Sequence, residues 1–111
     1  MINTDNQTSQ RAKAVAIADE IITGKVGIIS GSRILAGLRF EVGVPEYDED
    51  FLTFVAIDSE TDDLPIGSQR EFWASKSLEE KDIEIKRCED LYRQNAIEAC
   101  NNVIKRWKGK V

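Results

Sequence analysis

The chain has 111 residues, 41% of them hydrophobic and 32% charged, a formal net charge of −5 and no histidine. That length and balance suit one folded domain with one core, and they exclude a disordered chain or a membrane protein. The missing histidine excludes Ser-His and Cys-His catalytic pairs, imidazole metal ligands and histidine acid–base chemistry together.

The first ten residues are polar and lack the basic-then-apolar layout of a signal peptide, and no run reaches the roughly 18 apolar residues of a spanning helix. A cytoplasmic protein is expected, residues 1–8 of it disordered. From Thr8 or Ser9 to Ile22, Ala14, Val15, Ala18, Ile21 and Ile22 recur at steps of three and four, which predicts an amphipathic helix stopped by Gly24. Gly24 to Ser32 is glycine-spaced but lacks the order of a phosphate-binding loop and follows a helix, so it reads as a connector. A second helix is predicted over Gly31 to Val42, capped by Ser30 or Ser32 and stopped by Gly43, with Gly37 marking close packing against a neighbour.

After the loop Glu46 to Asp50, the run Phe51-Leu-Thr-Phe-Val-Ala-Ile57 is rich in aromatic and β-branched residues and apolar on both alternating faces, which predicts a buried strand. Leu64-Pro-Ile-Gly67 turns the chain, and Arg70 to Ala74 is expected to return as a short antiparallel partner, with Arg70 beside one of the carboxylates Asp58 to Asp63. A long helix then starts at Ser75 or Ser77, with Ser77 and Glu80 at capping-box spacing. Ile85, Cys88, Tyr92, Ala96, Ala99, Val103 and Trp107 form its apolar stripe, and Asp82–Lys86 and Glu89–Arg93 form its i,i+4 pairs. Some 30 residues make about 45 Å of helix, more than a domain of this size covers, so one end should project or pack on another chain. Cys88 and Cys100 lie about 18 Å apart on it, beyond disulfide reach, and are expected as free thiols. The expected fold is α+β within a single domain: two N-terminal helices, a short β-hairpin or strand pair, and the long C-terminal helix.

Charge is distributed unevenly. Between Phe40 and Gln69 there is no lysine or arginine, whereas Glu41, Glu46, Asp48, Glu49, Asp50, Asp58, Glu60, Asp62 and Asp63 give that segment a charge of −9. Such a field attracts a basic partner and repels phosphate, so nucleic acid is not expected as a partner; with no spanning run, no membrane partner is expected either. After Glu98 the only charged side chains are basic, beginning with Lys105 and Arg106, at the helix end where the macrodipole favours them.

Chemistry is hard to assemble from these residues. An EF-hand loop from Asp58 would need glycine at Asp63 and glutamate at Gln69. Ser30, Ser32 and Ser59 have no histidine base, and no catalytic residue, metal ligand set or cofactor is expected. The segment Phe54 to Gly67, followed by Arg70, Trp73, Leu78, Asp82 and Ala99-Cys100, resembles a family of small bacterial proteins of unknown function built around an Ile-Asp-Ser-Glu-Thr-Asp-x-Leu-Pro-x-Gly motif. The likeness covers most of the chain from about Ile21 onward and implies a bacterial, cytoplasmic protein with no assigned activity. The family often carries histidine where this chain has Asp63, a departure at that position.

The leading expectation is a non-enzymatic binding protein. Glu46, Asp48, Glu49, Asp50, Asp58, Glu60, Asp62 and Asp63, with Trp73 as an aromatic anchor, would dock a basic protein partner; the most concrete version is a toxin-neutralising immunity protein. A homo-oligomeric accessory protein assembled through the long helix around Tyr92, Val103 and Trp107 is the alternative, and a homodimer is one form of it. A carboxylate-based metal-dependent hydrolase using Asp58 is third.

Overall fold

The computed structural model describes residues 4–108. Helix α1 (Thr4–Thr23) starts earlier than the periodicity suggested, so residues 4–8 lie within it, and residues 1–3 fall outside the described part. It buries Ala14, Ala18 and Ile21. Gly24 ends it in the left-handed region at φ 81°, where its N–H donates to Ile21 O at 3.2 Å and that of Lys25 to Glu20 O at 2.9 Å. This is a Schellman closure of the last carbonyls.

Helix α2 (Ile28–Leu38) begins three residues before its expected start, and Ser30 and Ser32 are interior to it instead of capping it. It has no side-chain cap from its own neighbourhood; Glu89, 61 residues away, accepts the Ile28 N–H at 3.0 Å through Oε2. A carboxylate there satisfies one orphan donor and opposes the positive end of the helix dipole. The close approach expected at Gly37 is instead at Gly31. Nothing lies near a methyl added at Gly37, whereas one at Gly31 would overlap the Ile21 side chain of α1.

The expected strand is a helix. Glu49–Glu60 forms α3, and the residues expected to return as its hairpin partner begin in a six-residue 3-10 helix, Gly67–Phe72. Among the described residues there is no strand, and the α+β expectation gives way to an all-helical bundle. Phe51, Phe54 and Ile57 recur at steps of three and are buried, while Leu52 is 42% exposed and Ala56 is exposed too. One stripe therefore needs covering, a pattern a helix satisfies and a strand does not. Asp48 caps the start, its Oδ2 accepting the Phe51 N–H at 3.1 Å, and Glu49 and Asp50 occupy the first turn where the dipole favours acids.

Helix α4 (Ser75–Trp107) has 33 residues, about 50 Å at 1.5 Å per residue, matching the 49 Å long dimension of the molecule. Its cap position is Ala74, with no side-chain bond, so the Ser77–Glu80 box does not form its start. α1 packs on α4 and α2, α2 on α3, and α3 on α4. At the shared core Phe51 meets Phe54 edge-on, centroids 5.6 Å apart, and lies 5.8 Å from Trp107. The stripe behaves differently along its length: Ala96, Ala99, Val103 and Trp107 are buried, whereas Ile85, Cys88 and Tyr92 are only half-buried. No residue from Ser75 to Asn95 is fully buried; Tyr92 packs against the edge of the core, and the turns N-terminal to it are the end that the core does not cover. The two expected i,i+4 pairs do not form: Asp82 is taken by Arg70, Glu89 by α2, and Asp90 collects Lys86 at 3.6 Å and Arg93 at 2.7 Å. No helix among the described residues is long and apolar enough to cross a membrane.

Candidate functional site

The acidic residues singled out in the sequence form two groups at opposite ends of α3, whose 12 residues separate them by about 18 Å. At the N-terminal end Glu46 and Glu49 are exposed, but Asp48 and Asp50 are not free. Their side chains are 11% and 14% exposed and share one guanidinium. Arg106 Nη1 donates to Asp48 Oδ1 at 2.8 Å and Nη2 to Asp50 Oδ2 at 2.9 Å, while Asn102 Nδ2 donates to the other Asp50 oxygen at 3.0 Å. These two carboxylates clamp the start of α3 to the end of α4. The planar fork of arginine suits such a bridge, since each nitrogen reaches one carboxylate.

At the C-terminal end of α3, Asp58 lies 3.7 Å from Arg33 Nε. The same guanidinium donates through Nη2 to Thr61 O and to Leu64 O at 3.2 Å, so α2 holds the turn that leaves α3. Arg70, expected beside these acids, reaches Asp82 instead. Its Nη1 and Nη2 donate to the two Asp82 oxygens at 2.7 and 3.0 Å, and Nη1 also to Pro65 O at 3.3 Å. That pair holds the Asp82 carboxyl below its ordinary 3.8, through the hydrogen bond first, with desolvation opposing and the charge adding less, and it raises Arg70 for the same reasons.

Glu60, Asp62 and Asp63 are exposed and form no ion pair among the described residues. Glu60 and Asp63 face the uncovered part of α4. The Cys88 thiol is raised by burial first, then by Glu84, with smaller contributions from Asp63 and Glu60 against the opposing Arg87, and the Tyr92 hydroxyl is raised by burial first and Glu60 second. α3 thus runs antiparallel to α4, with Asp48 at Arg106 and Glu60 near Tyr92. Trp73, 37% exposed, and Phe72, 88% exposed, stand just after the Arg70 clamp.

Sequence reasoning missed the second wall of the acidic surface. A groove of about 200 Å³ between α3 and α4 is lined by Glu49 and Thr53 on one side and Asn95, Glu98 and Asn102 on the other. The spacing of three and four among Asn95, Glu98, Asn102 and Arg106 is the signal that could have found it, since it places them on one polar face of the helix. Chemically the groove offers carboxylate and amide oxygens as acceptors, with amide N–H groups and the Thr53 hydroxyl as donors. Among the described residues no group of three or more His, Cys, Asp or Glu side chains is arranged to hold a metal ion, and the described cysteines, Cys88 and Cys100, are free thiols. Comparisons with protein-family models, curated proteins and solved structures return no match to the chain.

Proposed function

We propose that the chain is a non-enzymatic binding protein whose carboxylates dock a basic protein partner, most concretely as an immunity protein that neutralises a toxin in a bacterial cytoplasm. The observation that supports this is the division of labour among its acids. Asp48, Asp50 and Asp58 are occupied by Arg106 and Arg33, whereas Glu46, Glu49, Glu60, Asp62 and Asp63 face solvent with no ion pair among the described residues. Unpaired surface acids of one sign steer a cationic partner and raise its association rate. The docking set is thereby narrower than the nine residues read from the sequence.

The test is co-expression with the product of the adjacent gene, followed by complex formation at low and high salt. A complex weakened by salt, and lost when Glu60, Asp62 and Asp63 are changed together to lysine, is the expected result. A complex insensitive to both, or none with a basic protein of the host, refutes the reading. Self-assembly through α4 is the second reading, favoured by Ile83 and Leu91, which are 65% and 69% exposed on its uncovered part. Light scattering of the pure protein decides it: a dimer abolished by Leu91→Lys supports assembly, and a monomer at all concentrations ends it.

A further inference from the structure

We infer that the 3-10 helix and the residue after it form a mounted aromatic anchor, in which Phe72 and Trp73 pack against an apolar face flanked by lysine or arginine on the partner. The inference rests on the binding reading above and names the point of attachment. A phenylalanine at 88% exposure, followed by a tryptophan at 37%, is a large apolar surface that folding leaves in water. Aromatic side chains in this state are the usual energetic centres of protein interfaces.

The pair stands on a firm mount. Leu64 and Pro65 are buried just before the 3-10 helix, and Arg70 ties it to α4 by the two-pronged pair with Asp82 and to its own chain at Pro65 O. The Trp73 N–H closes the segment onto Arg70 O at 3.1 Å. An anchor held this way loses little conformational freedom on binding. Charge identifies the occupant: from Asp58 to Glu84 the chain has nine carboxylates against three basic residues, and once Asp58, Asp82 and Glu84 are set against Arg33, Arg70 and Lys81, six carboxylates remain against Lys76. A second copy of this chain would bring the same acidic surround against itself, so the complementary partner is a basic one.

The probe is a synthetic amphipathic Lys/Leu helix peptide, titrated calorimetrically alongside its Glu/Leu counterpart. The Lys/Leu peptide should bind and the Glu/Leu peptide should not. Phe72→Ser, at an 88% exposed position, should weaken binding severalfold at an unchanged melting temperature, adding Trp73→Ser should bring the loss to at least tenfold, and Glu49→Lys with Glu98→Lys, in the groove at the other end of α3, should weaken binding less than the double serine variant. Asp82→Asn, which releases Arg70, should weaken binding while both aromatics are present. Equal affinity of the double serine variant for the Lys/Leu peptide overturns the anchor while leaving an acidic docking surface standing. Failure of the peptide to bind also overturns the anchor, with the adjacent-gene complex still judging the wider reading. A dimer that dissociates on Phe72→Ser overturns it in favour of self-association.

Discussion

Asp48 serves two structural purposes with its two oxygens, and substitution separates them. Asp48→Asn keeps an acceptor for the Phe51 N–H, because asparagine caps helices as well as aspartate does, but it removes the charge that Arg106 meets at 2.8 Å. A charge-assisted hydrogen bond contributes about 1.5–3 kcal/mol. Arg106 is 34% exposed, so solvent screening brings the expected loss to about 1–2 kcal/mol. Asp48→Ala removes the cap as well, worth about 1 kcal/mol more. At about 4 °C per kcal/mol for a domain of this size, the alanine variant should melt about 4 °C below the asparagine variant. In an Arg106→Met background the cost of Asp48→Asn should fall to zero or below, since no partner charge is left to lose and Asp48 and Asp50 then repel each other, while the gap between asparagine and alanine should persist. Urea titration gives the free energies, with unchanged m-values confirming that both variants still unfold from the same compact state. Equal stability of the two variants, or an asparagine cost indifferent to Arg106, refutes this account of the clamp. The result also bears on binding assays: charge reversal at Asp48 or Asp50 damages the fold, so Glu60, Asp62 and Asp63 are the acids to reverse.

Three further outcomes are expected. Gly31→Ala places a methyl on the Ile21 side chain and should destabilise by about 1–3 kcal/mol, with Ile21→Ala in the same chain recovering part of the loss in a denaturant titration. Glu89→Ala strips α2 of the acceptor for the Ile28 N–H and should cost about 1 kcal/mol, with hydrogen exchange accelerated at the first turn of α2 ahead of the rest of that helix. Burial pushes the Cys100 thiol from 9.0 up to about 12; the folded state thus holds that proton longer than the unfolded one, and stability falls as pH rises from about 9 towards 12. Cys100→Ala should flatten that alkaline slope, and native Cys100 should resist a thiol reagent at pH 8 until the protein unfolds.

The long helix was legible because its stripe repeats over many turns, and the stop at Gly24 because a left-handed residue there has one common use. α3 was misread for a physical reason. Phe51 to Ile57 carries both a period of two and a period of three, and aromatic and β-branched content tipped the choice towards a strand. The deciding signal stood just upstream, where Asp48-Glu49-Asp50 combines a capping acid with acids in the first turn. Taking those residues only as an exposed loop hid both the helix and the clamp. The acidic surface was legible as composition, whereas its partition was not. Arg106 and Asp48 are 58 positions apart, and the basic C-terminal residues read as dipole compensation gave no hint that one of them closes the bundle.

Because α4 contributes fully buried residues only from Ala96 onward, its two parts should open at different free energies. Amides in the C-terminal third should exchange only when the bundle unfolds, because Ala96, Ala99, Cys100, Val103 and Trp107 are packed there. Between Ser75 and Asn95, Tyr92 packs against the core and Glu89 holds the start of α2, so the turns before Glu89 should open locally first. The hydrophobic core is therefore insulated from local opening at the end of α4 beside Phe72 and Trp73.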